Sequence, residues 1–159
     1  MPLDSDLFRS VLGRFATGVT VVTARDQEGR DHGMTVSAFS SLSLDPPLVL
    51  FCVDRAASMF HSLAIGEVFA VNILTASQEA LSRRFSNLDA DTRFEGVGFS
   101  RGVLGPAILD DVLAHLECRI VARHEEGDHA IIVGEVQHAA TGDERPLLYY
   151  RGGYAQLER

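Results

Sequence analysis

Apolar and polar positions follow two different periods along this chain, and each period predicts a different kind of element. Residues 4–15 place their apolar side chains at helical spacing, with Asp4 or Ser5 available as the N-cap. Residues 113–123 instead alternate between apolar and polar side chains, and 130–138 continue after a turn that contains glycine. This second pattern predicts a long antiparallel hairpin.

Further strands are expected where β-branched and apolar residues cluster. They are predicted at 19–24, from His32 through Ser40, at 48–54, at 68–74 and at 146–151, with Gly152 to Tyr154 as a tail. Short helices are predicted at 58–64 and from Thr75 or Ser77 to Phe85, and 87–110 as an irregular excursion with one or two short strands. About seven strands that do not alternate regularly with helices predict a mainly β (α+β) fold, an antiparallel barrel with peripheral helices in one domain, 1–159.

Composition narrows the function classes. The 159 residues carry 14 basic and 22 acidic side chains, and the net charge of −8 argues against a nucleic acid or an anionic membrane as partner. The longest apolar run, 48–53, is far shorter than the roughly 20 residues of a membrane helix. The first ten residues have acids where a secretory signal has a basic region, so we expect a cytoplasmic protein.

The cysteines and several familiar motifs give no sign of a metal or nucleophile. Cys52 and Cys118 lie far apart in strand-like runs, so we expect buried thiols in a reducing compartment and no metal site. The glycines at 96–102 are one residue too widely spaced for a dinucleotide fingerprint. His124 and His129 are five apart across a glycine, which excludes the zinc-binding HExxH pattern, and no GxSxG elbow occurs.

The segment Gly33 to Leu44 is unusually rich in hydroxyl groups. They belong to Thr35, Ser37, Ser40, Ser41 and Ser43. In an extended strand, hydroxyls and free backbone amides can bind phosphate oxygens and the polar edge of a flat heteroaromatic ring. The same composition also fits an exposed strand that happens to be rich in serine.

Two further features have both a functional and a structural interpretation. Arg83 and Arg84 precede Ser86 at the end of a predicted helix, where they could form an anion site or offset the helix dipole. His129 follows the hairpin turn, where it could contact a nicotinamide nucleotide or pair in solvent with Asp128 or Glu126.

The run GMTVSAFSSLSLDPPLVLFCVDRAAS resembles the flavin reductase-like, FMN-binding split-barrel family. Other landmarks stand in the same order: RFATGVTVVT before it, then EVFAVNIL, RRFS, EGDHAIIVGEV and LLYYRGGYAQL. The resemblance extends from about Phe8 to Leu157 and is strongest toward small NAD(P)H:flavin reductases that supply a separate monooxygenase. It implies an antiparallel split barrel.

The resemblance also implies site residues. His129 would position the nicotinamide and is a candidate proton donor. The residues implied in flavin binding are Gly18, Val19, Thr20, Met34, Thr35, Val36, Ser37, Ala38, Phe39, Ser40, Ser41, Cys52, Val53, Asp54, Arg55, Ser58, Arg84, Phe85, Ser86 and Tyr154. The cofactors would be FMN or FAD, with NADH or NADPH as co-substrate and no metal.

The implied activity is hydride transfer from a nicotinamide to a flavin, in a homodimer with an oxygenase component as partner. In such a reaction the protein's task is to hold the two rings in contact while the cofactors supply the chemistry. Two alternatives stay open at this point: a flavin-binding electron-transfer protein, or a flavin-dependent reductase of another small molecule on the same fold. The residues do not distinguish FMN from FAD, NADH from NADPH, or a released flavin from a retained one.

Overall fold

A computed structural model of the protein describes residues 2–158. The helices are Ser5–Leu12 (α1) and Glu79–Arg84 (α2), with 3₁₀ turns at Phe60–Ser62 and Ala90–Thr92. The strands are Thr17–Gly18 (β1), Thr20–Arg25 (β2), Asp31–Val36 (β3), Phe39–Ser43 (β4), Leu48–Asp54 (β5), Val68–Ile73 (β6), Phe99–Arg101 (β7), Ala107–Leu109 (β8), Ala114–Glu126 (β9), His129–Thr141 (β10), Leu147–Tyr150 (β11) and Gly153–Gln156 (β12). No helix among these residues has both the length and the apolar character to cross a bilayer.

The main sheet is antiparallel and has the strand order β3-β2-β6-β9-β10-β5-β4. Its two edge strands, β3 and β4, are consecutive in the chain and are joined by Ser37 and Ala38 alone. A link this short spans only about 11 Å even when extended, so the two edges must lie close together. The sheet therefore curls into a barrel that is open between β3 and β4.

The strand predicted from His32 through Ser40 is thus two strands on opposite edges of the sheet. In the sequence, the pattern expected of one strand continues along 33–41. In the structure, however, the backbone leaves the partner strand β2 at Ser37 and crosses the opening. The Ala38 carbonyl then accepts a hydrogen bond from the Cys52 amide, which begins the pairing with β5. Periodicity carries no information about such a change of partner.

The core has two parts, one on each face of β2. Val22 and Ala24 pack inside the barrel around Phe51, Phe69 and Ile120. The opposite face of β2 carries Val21 into a second cluster outside the barrel, together with Val19 just before the strand and with Leu74, Phe85, Leu109 and Leu147. Burial of both faces explains why 19–24 is rich in β-branched residues and does not alternate with charged side chains.

Gly33 allows the second cluster to form. A Cβ at this position would lie 2.6 Å from Cε1 of Phe85, closer than packed carbon atoms approach. The absence of a side chain lets the Phe85 ring pack directly on β3. Phe85 in turn meets Phe94 edge to face, with ring centroids 5.0 Å apart.

Most predicted elements are confirmed, with differences at short segments. The hairpin is present and longer than expected, as β9 and β10, and α1 begins after the Asp4 cap, whose side chain accepts from the Asp6 amide. The predicted helix at 58–64 is only a 3₁₀ turn, and α2 begins at Glu79 without a side-chain cap. Very short strands and turns give too few positions for a period to be read.

The predicted tail is the clearest of these differences. Residues 152–154 belong to the hairpin of β11 and β12, where Tyr149 pairs with Tyr154. Arg151 and Gly152 both have positive φ, at 53° and 76°, which is the backbone geometry of a tight two-residue hairpin turn. This hairpin and β1 form a separate three-stranded sheet.

Candidate functional site

A cleft of about 970 Å³ lies between α1 and the opening of the barrel. It is lined by Ser5, Phe8, Arg9, Leu12, Gly13, Phe15, Thr17, Ser37, Ala38, Asp54, Asp128, His129, Tyr149 and Gly152. Two smaller depressions of about 290 and 200 Å³ adjoin it, and Ser37 lines all three. Ser37 and Ala38 are exposed because the crossing between the sheet edges has no strand outside it.

One wall of the cleft carries the polar groups that β5 and β10 bring together. His129 begins β10 and is paired in register with Asp54, the last residue of β5. Its Nδ1 lies 2.7 Å from Oδ1 of Asp128, and this hydrogen bond lowers the pKa of Asp128. The bond fixes the orientation of the imidazole and leaves Nε2 for another partner.

The smallest of the three depressions is lined by hydroxyl groups, and none of the described residues that line it is charged. The hydroxyls of Thr35 and Ser86 both donate to the carbonyl of Ser82, at 2.6 and 3.0 Å, and the Ser82 hydroxyl lies 2.7 Å from that of Tyr154. Val19, Ser37 and Tyr149 complete the lining. Three segments distant in sequence, β3, α2 and β12, thus meet at one polar pocket.

The cleft has the character of a site for a flat ligand with a few polar groups. Its volume and its mainly apolar lining are typical of small-molecule and cofactor sites. Thr17 also lines it, and the Thr17 hydroxyl is a buried oxygen without a hydrogen-bond partner within residues 2–158. A buried unpartnered hydroxyl beside a cleft is satisfied when a ligand supplies the missing group. These observations fit a flavin.

The structure brings together many of the predicted site residues but not all of them. Those that line the cleft or the adjoining depressions are Gly18, Val19, Thr20, Thr35, Ser37, Ala38, Phe39, Asp54, Ser86, His129 and Tyr154. Of these, Thr20 turns its hydroxyl inward to the Val36 carbonyl, at 2.7 Å, so its side chain serves the fold.

Arg84 and Phe85 line none of the three depressions and make structural contacts. The Arg84 guanidinium donates to the carbonyls of Arg93, Thr92 and Glu95, which fastens α2 to the loop that follows it. The ring of Phe85 is fully buried in the second core cluster. The neighbouring Arg83 is exposed and pairs with Glu79, with its guanidinium 4.9 Å from the Tyr154 ring.

Other predicted residues also lie outside the cleft. Met34, Val36 and Val53 pack in the barrel core, because their strand positions face inward. Cys52 is half-buried and forms no disulfide, which corrects the expectation that both thiols are buried. Ser40, Ser41, Arg55 and Ser58 are exposed and line none of the three depressions.

Several lining residues were not expected from the sequence. Ser82 is buried in α2 and lines the smallest of the three depressions. Its position one helical turn before Ser86 is the sequence signal that could have indicated it. Phe8, Arg9 and Leu12 reach the cleft from α1, and none of the α1 residues is buried. Their apolar spacing predicts the helix but does not indicate which surface it faces.

The sequence model of the family described as "Flavin reductase like domain" matches residues 12–158. The chain belongs to this family. The match includes the crossing at Ser37, the hairpin with His129 and the strand with Tyr154, so it covers the walls of the cleft that the barrel provides. The resemblance drawn from the motifs is confirmed.

Individual relatives are similar over nearly the whole chain. The reductase subunit HsaB of a flavin-dependent monooxygenase from Rhodococcus jostii is 39% identical over 157 residues, 98% of this chain and 80% of that protein. The FMN reductase (NADH) SmoA from Agrobacterium fabrum is 42% identical over 156 residues, 98% of this chain and 88% of that protein. The solved NADH:FAD oxidoreductase SgcE6 from Streptomyces globisporus, in complex with NAD and FAD fragments, has a TM-score of 0.90 at 39% identity and covers 97% of this chain and 93% of its own. The antiparallel split barrel is confirmed.

Proposed function

We propose that this protein is an NADH-dependent flavin reductase that supplies reduced flavin to a partner monooxygenase. The observation that carries the proposal is the cleft in which the exposed Ser37–Ala38 crossing faces His129 and Asp54. Relatives that span nearly the whole chain carry this activity in their names, with NADH as the reductant.

The residues around the cleft supply binding and orientation. Ser37 and Ala38 offer the exposed backbone and hydroxyl that would hold the polar edge of a flavin ring, and the Thr17 hydroxyl offers an unpaired hydrogen-bonding group. His129, held by Asp128, would contact the nicotinamide nucleotide through Nε2. A bound flavin would supply the hydride acceptor. Hydroxyl and amide donors at the Ser37–Ala38 crossing would favour a ligand that gains negative charge.

The assembly and location follow from the same proposal. Residues 1–159 would act as one flavin reductase-like domain in a cytoplasmic homodimer, with an oxygenase component as the acceptor of its product. The reductase subunit HsaB is the relative that supports an oxygenase partner. The free thiols of Cys52 and Cys118 fit a reducing compartment. The proposal covers both FMN and FAD as the flavin.

The decisive test is NADH oxidation followed at 340 nm with FMN, FAD and riboflavin, and with NADPH in parallel. We expect turnover with NADH and at least one flavin nucleotide. H129A should raise the KM for NADH while flavin binding, measured by fluorescence quenching, is retained. H138A is the matched control, because His138 is exposed on the same strand outside the cleft.

Two results would contradict the proposal. Flavin binding without NADH oxidation by the wild-type protein would instead support the flavin-binding electron-transfer alternative. Neither binding nor turnover would mean that the cleft serves another ligand.

A further inference from the structure

Helix α1 presents to the cleft a stripe of side chains that combines apolar groups with a hydroxyl and a guanidinium. Ser5, Phe8, Arg9 and Leu12 stand at the spacing of one helical face, and all four line the cleft. Among residues 2–158, Arg9 is the one arginine in that lining. Its nearest acid, Asp6, is 4.0 Å away, and both side chains are at least 80% exposed, so this ion pair is weak and easily exchanged.

Three other arginines near the site are already engaged. Arg84 donates to three carbonyls, and Arg83 pairs with Glu79 and stacks on Tyr154. Arg14, at the end of the α1 segment, donates to the carbonyl and hydroxyl of Ser10. Arg55 and Arg151 also have no side-chain hydrogen bond within the described residues, but neither lines the cleft. Arg9 both lines the cleft and has no hydrogen-bonded partner among these residues.

The cleft also carries acidic side chains. Asp54 and Asp128 line it, and His129 is held by Asp128. A phosphate that binds in this cleft is repelled by these carboxylates and needs a cation beside it. Arginine matches phosphate with paired hydrogen bonds, which a hydrated point charge does not.

The attachment of α1 leaves Arg9 free to adjust. No residue of the helix is buried, and beyond its end the Gly13 carbonyl accepts a hydrogen bond from the Arg151 amide. Phe8 and Leu12 flank Arg9 along the stripe, so the same face offers apolar contact beside the charge.

We propose that Arg9 is the phosphate-binding residue of this cleft and takes a phosphate of a nucleotide that occupies it. This inference rests on the proposed function, from which the two sources of phosphate follow: the flavin nucleotide and the nicotinamide dinucleotide. Arg9 replaces Arg84, which the sequence suggested for this role and the fold uses elsewhere.

The experiment compares R9Q with R9K and with R14Q, which removes the same charge from the same segment outside the cleft. Dissociation constants are measured by fluorescence quenching for FMN and riboflavin and by calorimetry for NAD⁺, and the KM for NADH is measured alongside. We expect R9Q to weaken at least one phosphate-bearing ligand about tenfold, the size of one lost charge-assisted contact. Riboflavin binding should be unchanged, and R9K should recover part of the loss.

The comparison of FMN with NAD⁺ identifies which ligand supplies the phosphate. Weaker FMN but unchanged NAD⁺ binding assigns Arg9 to the flavin phosphate, and the reverse assigns it to the dinucleotide. If R9Q binds every ligand as R14Q does while the wild-type enzyme oxidises NADH, this inference fails and the proposed function stands. A wild-type protein that binds neither nucleotide overturns both.

Discussion

The hydroxyl groups of Ser82 and Tyr154 lie 2.7 Å apart, although 72 residues separate them in the chain. Ser82 is fully buried in α2, an unusual place for a serine, and Tyr154 belongs to the terminal hairpin. The bond therefore connects the helix beside the barrel to the three-stranded sheet. It also forms the floor of the uncharged pocket that adjoins the cleft.

Removing either hydroxyl should destabilise the protein. S82A and Y154F each leave a half-buried or buried oxygen without its partner, so each should lower the free energy of unfolding by about 1 kcal/mol. The double variant should cost less than the sum of the two, because both remove the same bond. Urea denaturation of all four proteins measures this coupling, and additive effects would contradict the bond.

A larger side chain at position 37, in the crossing between β3 and β4, should block the cleft without unfolding the barrel. Ser37 is exposed and lines the cleft, so S37L should weaken flavin binding by about tenfold or more while the unfolding midpoint stays near that of the wild type. S40L is the matched control, since Ser40 is an exposed serine on the adjacent strand outside the three depressions. Equal flavin affinities for both variants, by fluorescence quenching, would place the flavin elsewhere.

Arg84 should prove structural and Arg83 dispensable for folding. R84Q removes donors from three loop carbonyls and should lower the free energy of unfolding by about 1–2 kcal/mol. R83Q, one residue away, loses only an exposed pair with Glu79 and should stay within about 0.5 kcal/mol of the wild type. Chemical denaturation distinguishes them, and an R84Q variant as stable as R83Q would show that the loop contacts contribute little.

Low pH should destabilise the turn at 26–30, because it protonates the Asp26 carboxylate. The His32 side chain, together with the amides of Arg30 and Glu28, lowers the pKa of Asp26 from 3.8 to about 2. A lowered pKa means that the carboxylate stabilises the fold above about pH 4 and that this contribution is lost as the pH falls toward 2.

The D26N variant isolates this effect in Tm measurements between pH 2 and pH 6. The Tm difference between the wild type and D26N should be largest at the upper end and shrink below pH 4. D143N, in the exposed connection between β10 and β11, should follow the wild-type profile. A constant difference between wild type and D26N across the range would exclude a role for this titration.

The sequence by itself determined the elements that local patterns encode. The β-branched run at 19–24 predicts a strand, and the alternation around Gly127 predicts the hairpin of β9 and β10. The ordered motifs predict the family and the split barrel. Each of these features depends on residues close together in the chain, where spacing reflects the geometry of a strand or helix directly.

Only the tertiary structure decided which candidate side chains reach the cleft. Ser37 and Ser40 both belong to the hydroxyl-rich segment, but the crossing between two sheet edges places Ser37 at the opening and Ser40 on an edge strand. Arg84 and Arg9 differ for the same kind of reason, since hydrogen bonds to the loop at 92–95 engage the Arg84 guanidinium, whereas Arg9 lines the cleft. Closure of the barrel sets these partners, and a local pattern cannot encode contacts made between distant segments.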